Sequence, residues 1–595
     1  SASLDTLTSF DQNSEYWSVS SKLEMFQVLL PDDTSTKRSN TEPLVEIPQF
    51  KFTIDSVSDY QGYNQLLLLL NMDKLQVFYN RYKLFTLIGS VYLVREFIIS
   101  PIKLMKLKFK KDQDKFEDPA TDYNNNQASK ELLLDYIHAN FMLETPDIIL
   151  QIADSYNLKV QLSDIYVELA NKMVKLSLFF IRCLADSPSA EGKWCRLLCL
   201  DSLSLNVEIP KSIDDLALDV HTDAIRLIQP HKFIVYELFD HLSLTAKLSK
   251  HLIKLLKADD DKQGANIVHP HEMKPIPLPS MTIKSNHLKF TMEDDPFETE
   301  LNMIYQLGKT EQRKRLELYS LFEARENQLP DDKNYFTRLE RLHTTISESW
   351  MRKVKIYQQQ LKDEIVAHKD YLFGNECRFD SDYNKDVVAY PYDAPLLTIG
   401  MEGFNLNLSK PDFGLDNIAD FIHNVGQGVP KDTKYSVMVP MYLDLKLAEM
   451  RMQLRDYPLP ILYSPRNKNT ANASLMLRGD LVISEKYVTD EKEIRQLQVP
   501  LVASHKDEAN RYDLLTIEKT LSSIKMYTKM DCDFNSDYPT RIVWGTSYNF
   551  GIQQFMFNFY QFSKPPVDPS QKLGFWDKLK YILHGSCTIK TRKSL

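Results

Sequence analysis

The sequence predicts a mainly β protein built of long amphipathic strands, with helices at its flanks. Two observations support this. From Leu397 to Phe562 apolar and polar residues alternate in run after run: Leu443, Leu445 and Leu447 against Asp444 and Lys446, then Met450, Met452 and Leu454 against Arg451, Gln453 and Arg455. A period of two places one set on one face of a strand. Helical periodicity, by contrast, is confined to a few stretches, too few and too charged to cover every such face.

The same alternation recurs at Leu475, Leu477, Leu481 and Ile483, at Phe555, Phe557 and Phe559, and at Leu397, Ile399 and Met401. Phe404, Leu406 and Leu408 resume the last run after a slip at Glu402-Gly403, which is what a β-bulge writes into a sequence. A second sheet, a layer of helices or acyl chains could each cover these faces.

Earlier in the chain, Phe50, Phe52 and Ile54 alternate with Lys51, Thr53 and Asp55. Met105, Leu107 and Phe109 alternate with three lysines, a strand with one lysine face. Between them, Gln65 to Ile99 is apolar on too many sides to choose between helix and strand. Leu158 to Leu162, Ile165 to Leu169 and Leu203 to Ile209 alternate again, and Leu216 to Val220 follows a polar turn, which reads as a hairpin. After Pro230 the spacing of Val235, Leu238, Leu242, Leu252 and Leu255 changes to three, four and their multiples, a helix with one apolar stripe that caps part of the strand face.

Ala258 to Pro279, with prolines at 275, 277 and 279, reads as a linker, and Ile283 to Met292 as a strand. The region from Phe297 to about Tyr371 carries charges of both signs at helical spacing, broken near Pro330, and reads as a solvated helical hairpin.

Net charge is −9, which disfavours nonspecific nucleic-acid binding. Only 16 glycines occur and no glycine-rich phosphate loop is present. Cys183, Cys195, Cys199, Cys377, Cys532 and Cys587 are too scattered for a disulfide framework or zinc knuckle, so a reducing, cytosol-facing setting is expected, with Cys195 and Cys199 buried. His269-Pro270-His271-Glu272 sits in a proline-rich loop rather than a metal site. Leu84 to Val94 falls short of the ~20 residues of a membrane span. No GxSxG or HExxH string points to catalysis, so the chain is expected not to be an enzyme and to need no metal or cofactor. It starts at Ser1 without a signal peptide and is expected to be an internal piece of a longer protein.

The C-terminal end supplies the most specific motif. Gly574, Phe575, Trp576, Asp577 and Lys578 spell GFWDK. Upstream lie Trp544-Gly545, expected to open a strand, Arg455-Asp456-Tyr457-Pro458-Leu459-Pro460 at a strand end, Ser349-Trp350, and Glu293-Asp294-Asp295-Pro296-Phe297. Together these resemble the Hobbit/SABRE branch of the bridge-like lipid-transfer proteins, whose domains are labelled by SW and GFWDK motifs. The resemblance implies a long twisted antiparallel sheet curled into an open hydrophobic groove, a repeating β-groove, with the charged hairpin outside it. It divides the chain into a β-groove unit or units at 1–260, a linker, strand and helical hairpin at 261–380, and a further β-groove unit at 381–595.

It further implies phospholipids as cargo, membranes at both ends of the full-length protein, adaptor proteins, and a place on the cytosolic face of the endoplasmic reticulum at contacts with the plasma membrane and mitochondria. Leu397, Ile399, Met401, Leu443, Leu445, Leu447, Met450, Met452, Leu454, Leu475, Leu477, Leu481, Ile483, Phe555, Phe557 and Phe559 would line the groove. Trp576 and Phe575 would wedge against the sheet, Asp577 capping a helix there. A non-enzymatic scaffold that binds protein partners through its charged helices is the alternative.

Overall fold

A computed structural model of the chain describes residues 2–7, 17–28, 45–58, 64–80, 137–208, 216–257, 267–268, 272–327, 334–348, 352–360, 386–388, 394–500, 514–562 and 577–591, with short gaps inside these ranges. One sheet of 21 strands dominates. It opens with β1 (Ala2–Leu7), β2 (Trp17–Val28), β3 (Val45–Ser58), β4 (Asn64–Met72) and β5 (Gln76–Asn80). It continues through β6 (Ile137–Leu143), β7 (Asp147–Ala153), β8 (Tyr156–Leu162), β9 (Ile165–Ala170), β10 (Met173–Asp186), β11 (Trp194–Glu208) and β12 (Ala217–Gln229). Helix α1 (Val235–Lys257) and the short β13 (Ile267–Val268) lead to β14 (Ser280–Met292).

Two helices, α2 (Pro296–Glu326) and α3 (Tyr335–Glu348), form the expected charged hairpin, and residues 352–360 are helical too. Asp295 caps α2, its side chain accepting from the Phe297 N–H, with Pro296 in the first turn. The sheet resumes with β15 (Leu397–Ser409), then helix α4 (Ile418–Val425), β16 (Tyr435–Leu447), β17 (Glu449–Leu454), β18 (Leu462–Ser464) and β19 (Leu475–Lys486). β20 (Ile494–Pro500) and β21 (Leu514–Thr520) join β13 in a separate small sheet, so a piece of the expected linker is a strand. β22 (Lys525–Phe534), β23 (Arg541–Ile542), helix α5 (Asn549–Phe562) and β24 (Leu583–Thr591) complete the order.

The sheet is mixed, not antiparallel throughout. β4 and β5 run parallel to β6 and β7, β12 to β14, and β22 to β24. A parallel pair needs a long crossover, and α1 and α5 lie within the second and third. Between the parallel seams the chain meanders in two sets of five: β6/β7, β8/β9, β10, β11 and β12, then β14, β15, β16/β17, β19 and β22. The hairpin α2–α3 is thus an insertion between the first and second strands of the latter set.

The slashes mark interrupted strands, and the interruptions align. Leu178 pairs with Leu203 and Phe180 with Asp201, leaving Phe179 and Ser202 without ladder partners in an unbroken register. The gap continues through Asp223, Asn286, Gly403 and Ala448 on one side, and through Asp164 and Glu144 on the other. On these strands the apolar set resumes three residues further on, as in Leu178/Ile181, Leu203/Leu200, Phe404/Met401 and Leu447/Met450.

The slip read at Glu402-Gly403 is therefore one point of a crease crossing eight successive strands. Ser202 (φ 50°) and Gly403 (φ 60°) supply the non-extended residue that lets the apolar set stay on one face through such a slip. Buried hydroxyls take up backbone groups freed there. The Ser163 Oγ accepts from the Phe179 N–H at 2.7 Å, and Thr222 and Ser474 donate to the carbonyls of Asp201 (2.6 Å) and Ala448 (2.7 Å).

The crease divides the strands into two arms. On the short arm, Leu238 of α1 and the preceding Phe233 pack with Leu158, Ala185 and Cys195, and α5 with the adjoining Tyr548 covers Met292, Leu397 and Leu454. On the long arm, α4 packs on the opposite face, against Tyr435, Val482 and Tyr527.

Candidate functional site

Register and alternation build the candidate site on the long arm. One row of directly paired residues runs Phe52, Leu70, Phe141, Val167, Leu176, Leu205, Val220, Ile283, Leu406, Leu445, Leu477, Cys532 and Ile589, from β3 to β24. Thirteen strands contribute one apolar residue each. At ~4.8 Å per strand the row is roughly 58 Å long.

A parallel row two residues further from the crease reads Leu68, Ala139, Leu169, Val174, Val207, Leu218, Met281, Leu408, Leu443, Gly479, Met530 and Cys587. The row next to the crease includes Leu143, Ile165, Leu178, Leu203, Phe404, Leu447, Leu475 and Phe534, its polar members being Thr591 on the edge strand and, inside the sheet, Thr222 and Ser285. The hydroxyls of Thr222 and Ser285 are turned to backbone carbonyls, that of Ser285 to His287 at 2.9 Å. No charged side chain stands in the three rows.

The middle row decides between closed core and open surface. From Phe52 to Cys532 its members are half-buried, and Ile589 at the edge is 66% exposed. A sandwich core would bury them. The opposite face, one residue out of phase, is polar: Asn140, Glu168, Lys175, Asn206, Asp219, Thr282, Asn407, Asp444, Arg478 and Asp531 form its matching row. Arg478 and Asp444 pair there at 2.9 Å.

The residues expected to line one groove thus separate. Leu443, Leu445, Leu447, Leu475 and Leu477 lie on the lane of the long arm, and Leu481 and Ile483 on the same face beyond its outer row. Leu397, Ile399, Met452 and Leu454 pack with Tyr548 and Phe555 beneath α5, Leu397 and Leu454 only 1% exposed, and Met401 and Met450 pair between these and the crease. Phe555, Phe557 and Phe559 are not on a strand at all. They belong to α5, where Phe555 and Phe559 share one side with ring centroids 5.8 Å apart and Phe557 is exposed.

Trp544-Gly545 likewise precedes a turn at Thr546–Tyr548 and then α5, not a strand. Ser349, Trp350, Gly574, Phe575, Trp576 and Lys578 lie outside the described residues, as does the Met105–Phe109 run; Asp577 is helical and exposed. The lane residues of β6 to β14 were written as alternating runs in part, but nothing in a local run says that Leu176 and Leu205 share a row with Leu445.

Three of the motif segments converge at the short-arm end. Arg455, itself left-handed (φ 44°), places its guanidinium on Asp294 (2.6 Å) and Glu298 (3.0 Å) at the start of α2 and stacks over Phe550 of α5. Tyr457 meets Tyr548 edge-on at 4.9 Å, and Gln554 donates to Glu298. The segments Glu293 to Phe297, Arg455 to Pro460 and Trp544 to Phe562 so form one joint that fixes the hairpin and α5 to β17.

Burial pushes the thiol of Cys183 up to about 11 and that of Cys195 up to about 12, leaving both protonated and poor nucleophiles. Among the described residues no group of His, Cys, Asp and Glu is placed to hold a metal, and no helix is long and apolar enough to cross a membrane.

An apolar lane on one face of a sheet assembled from five-strand sets defines a β-groove protein. The chain belongs to the Hobbit/FMP27/BTLP2 family, whose profile matches residues 60–594. It is 29% identical over 551 residues to Protein FMP27, mitochondrial, of Saccharomyces cerevisiae, the match covering 78% of this chain and 21% of that protein. Similarity to Protein YPR117W of the same yeast is 28% over 398 residues, 62% of this chain and 15% of that one. Protein hobbit of Drosophila melanogaster is 23% identical over 342 residues, 54% of this chain and 13% of that protein. The chain therefore spans about a fifth or less of the length of these relatives.

Proposed function

We propose that this chain is a segment of a bridge-like lipid-transfer protein, a non-enzymatic conduit that conducts glycerophospholipids along the long-arm lane between apposed membranes. Family membership supports a membrane-associated, lipid-transfer type of role in general. The observation that supports the conduit is the three-row lane, uncharged throughout, whose half-buried middle row is continuous over thirteen strands. Each CH₂ taken from water gains ~0.8 kcal/mol, so an acyl chain leaves a bilayer readily only for a surface of comparable apolarity. Three rows two residues apart span ~13 Å, leaving headgroups at the wet margin of the lane. In this proposal the full-length protein works on the cytosolic face of the endoplasmic reticulum at contacts with the plasma membrane or mitochondria, held by adaptors at its ends, and needs no cofactor.

The test is mass spectrometry of organic extracts from the purified chain. Glycerophospholipids should co-purify in several copies per chain, with mixed headgroups. A chain that carries none and takes none up from fluorescent phospholipid vesicles would contradict the proposal.

A further inference from the structure

On the short arm, the face opposite α1 and α5 carries a row that reads Arg182, Cys199, Arg226, Lys289, Gly400 and Arg451 on six successive strands. Arg226 and Lys289 are direct register partners in the parallel seam between β12 and β14. Like charges placed opposite each other destabilise a sheet. The carboxylates on this face are already engaged: Asp201 with Arg226 at 2.5 Å, Glu402 with Arg466 at 2.9 Å, and Glu449 with the Tyr463 hydroxyl. Lys289 is half-buried, and burial together with Arg226 holds its ammonium below the usual lysine range, with no acid acting to raise it. Beside it in the row, Gly400 leaves space: a Cβ there would meet only the Arg451 carbonyl, at 4.0 Å. On the far side of Gly400 stands Arg451, exposed and donating to the Gln453 Oε1 at 3.2 Å. Thr291 and Thr398, partners in the ladder, stand at the next position on the same face.

We propose that this face of the short arm binds a phosphate group over Gly400, between Lys289 and Arg451. A phosphate offers several acceptor oxygens and more than one negative charge, which suits two cations, Lys289 and Arg451, standing on either side of a glycine. The glycine lets the anion approach the sheet between the two cationic stems. The phosphate comes either from a soluble phosphorylated compound or from a lipid headgroup, and this site is separate from the acyl lane because it lies on the other arm and on the opposite face of the sheet, away from α1 and α5.

The experiment uses the 595-residue chain and the variant Lys289→Met, which keeps the stem and removes the charge. Without phosphate the variant should unfold at a higher temperature than the native chain, since the repulsion with Arg226 is gone. Inorganic phosphate should raise the midpoint of the native chain saturably. It should bind Lys289→Met about tenfold or more weakly, the worth of a lost charge-assisted hydrogen bond. Phosphatidylcholine vesicles containing phosphatidic acid identify the source: sedimentation of the native chain but not the variant assigns the site to a headgroup, and equal sedimentation of both, with the phosphate effect still lost in the variant, assigns it to a soluble compound. A variant that unfolds at a lower temperature in buffer, or a phosphate effect equal in both proteins, overturns the proposal.

Discussion

Gly403 shows at the scale of one residue how the crease is made. Its φ of 60° lies in the left-handed region, and a Cβ added there would come within 2.8 Å of the Ala448 Cβ on the neighbouring strand. Two separable costs follow. Gly403→Ala pays roughly 1–2 kcal/mol for the backbone conformation alone, plus the strain of separating β15 from the β16–β17 break. The expectation is a lowered unfolding midpoint for Gly403→Ala, partly restored in Gly403→Ala/Ala448→Gly because the second change removes the contact and leaves only the conformational term. A double variant no more stable than the single one would show that the Ala448 contact adds nothing. The slip was legible in the sequence because Met401 and Phe404 are three apart in an otherwise period-two run. That Phe179, Ser202, Asp223 and Asn286 share its row was not, since alignment across strands is set by register and not by any one strand.

Helix α5 is where sequence and structure part at the scale of an element. Phe555, Phe557 and Phe559 alternate like a strand, yet Ile552, Phe555 and Phe559 also fall at three- and four-residue steps, and Ile552 and Phe555 are the members that pack into the short-arm core. A short aromatic run satisfies both periods. What tips it is tertiary: Gly551 lets the helix seat against Leu454, whose Cδ2 lies 2.5 Å from where a Cβ would be, and the crossover to the parallel strand β24 requires the chain to pass over the sheet. The same joint depends on Arg455, which holds the start of α2 through Asp294 and Glu298. Arg455→Ala leaves a largely buried Asp294 uncompensated, a loss on the order of 3 kcal/mol. Hydrogen exchange should then speed up in the first turns of α2 and in α5 while the long-arm strands keep their protection. Unchanged exchange in α2 would mean that Pro296 and the Asp295 cap hold the hairpin without the arginine.

Across the whole molecule, strand type and alternation were readable, as was the charged hairpin, because each rests on local periodicity. The mixed sheet, its three parallel seams and the division into two arms were not, because they depend on which distant segments pair. That division decides how a charge placed on the apolar set will behave. Leu445 and Leu477 are register partners in the half-buried middle row of the long arm. Leu397 and Leu454 are register partners of the same chemical kind, but 1% exposed beneath α5. Leu397→Glu with Leu454→Glu buries two carboxylates without partners, among the costliest changes a fold can suffer, and the chain should fail to fold. With Leu445→Glu and Leu477→Glu the carboxylates can reach water along an open lane, so the fold should survive. Acyl chains would then have to pass a hydrated, doubly charged step, and fluorescent-lipid transfer between liposomes by a full-length version should fall to background. Thermal unfolding and transfer are measured on the same proteins. A long-arm variant that unfolds like the short-arm one would indicate a covered core at Leu445 and Leu477. One that folds and still transfers at the native rate would remove the lane from the transfer path.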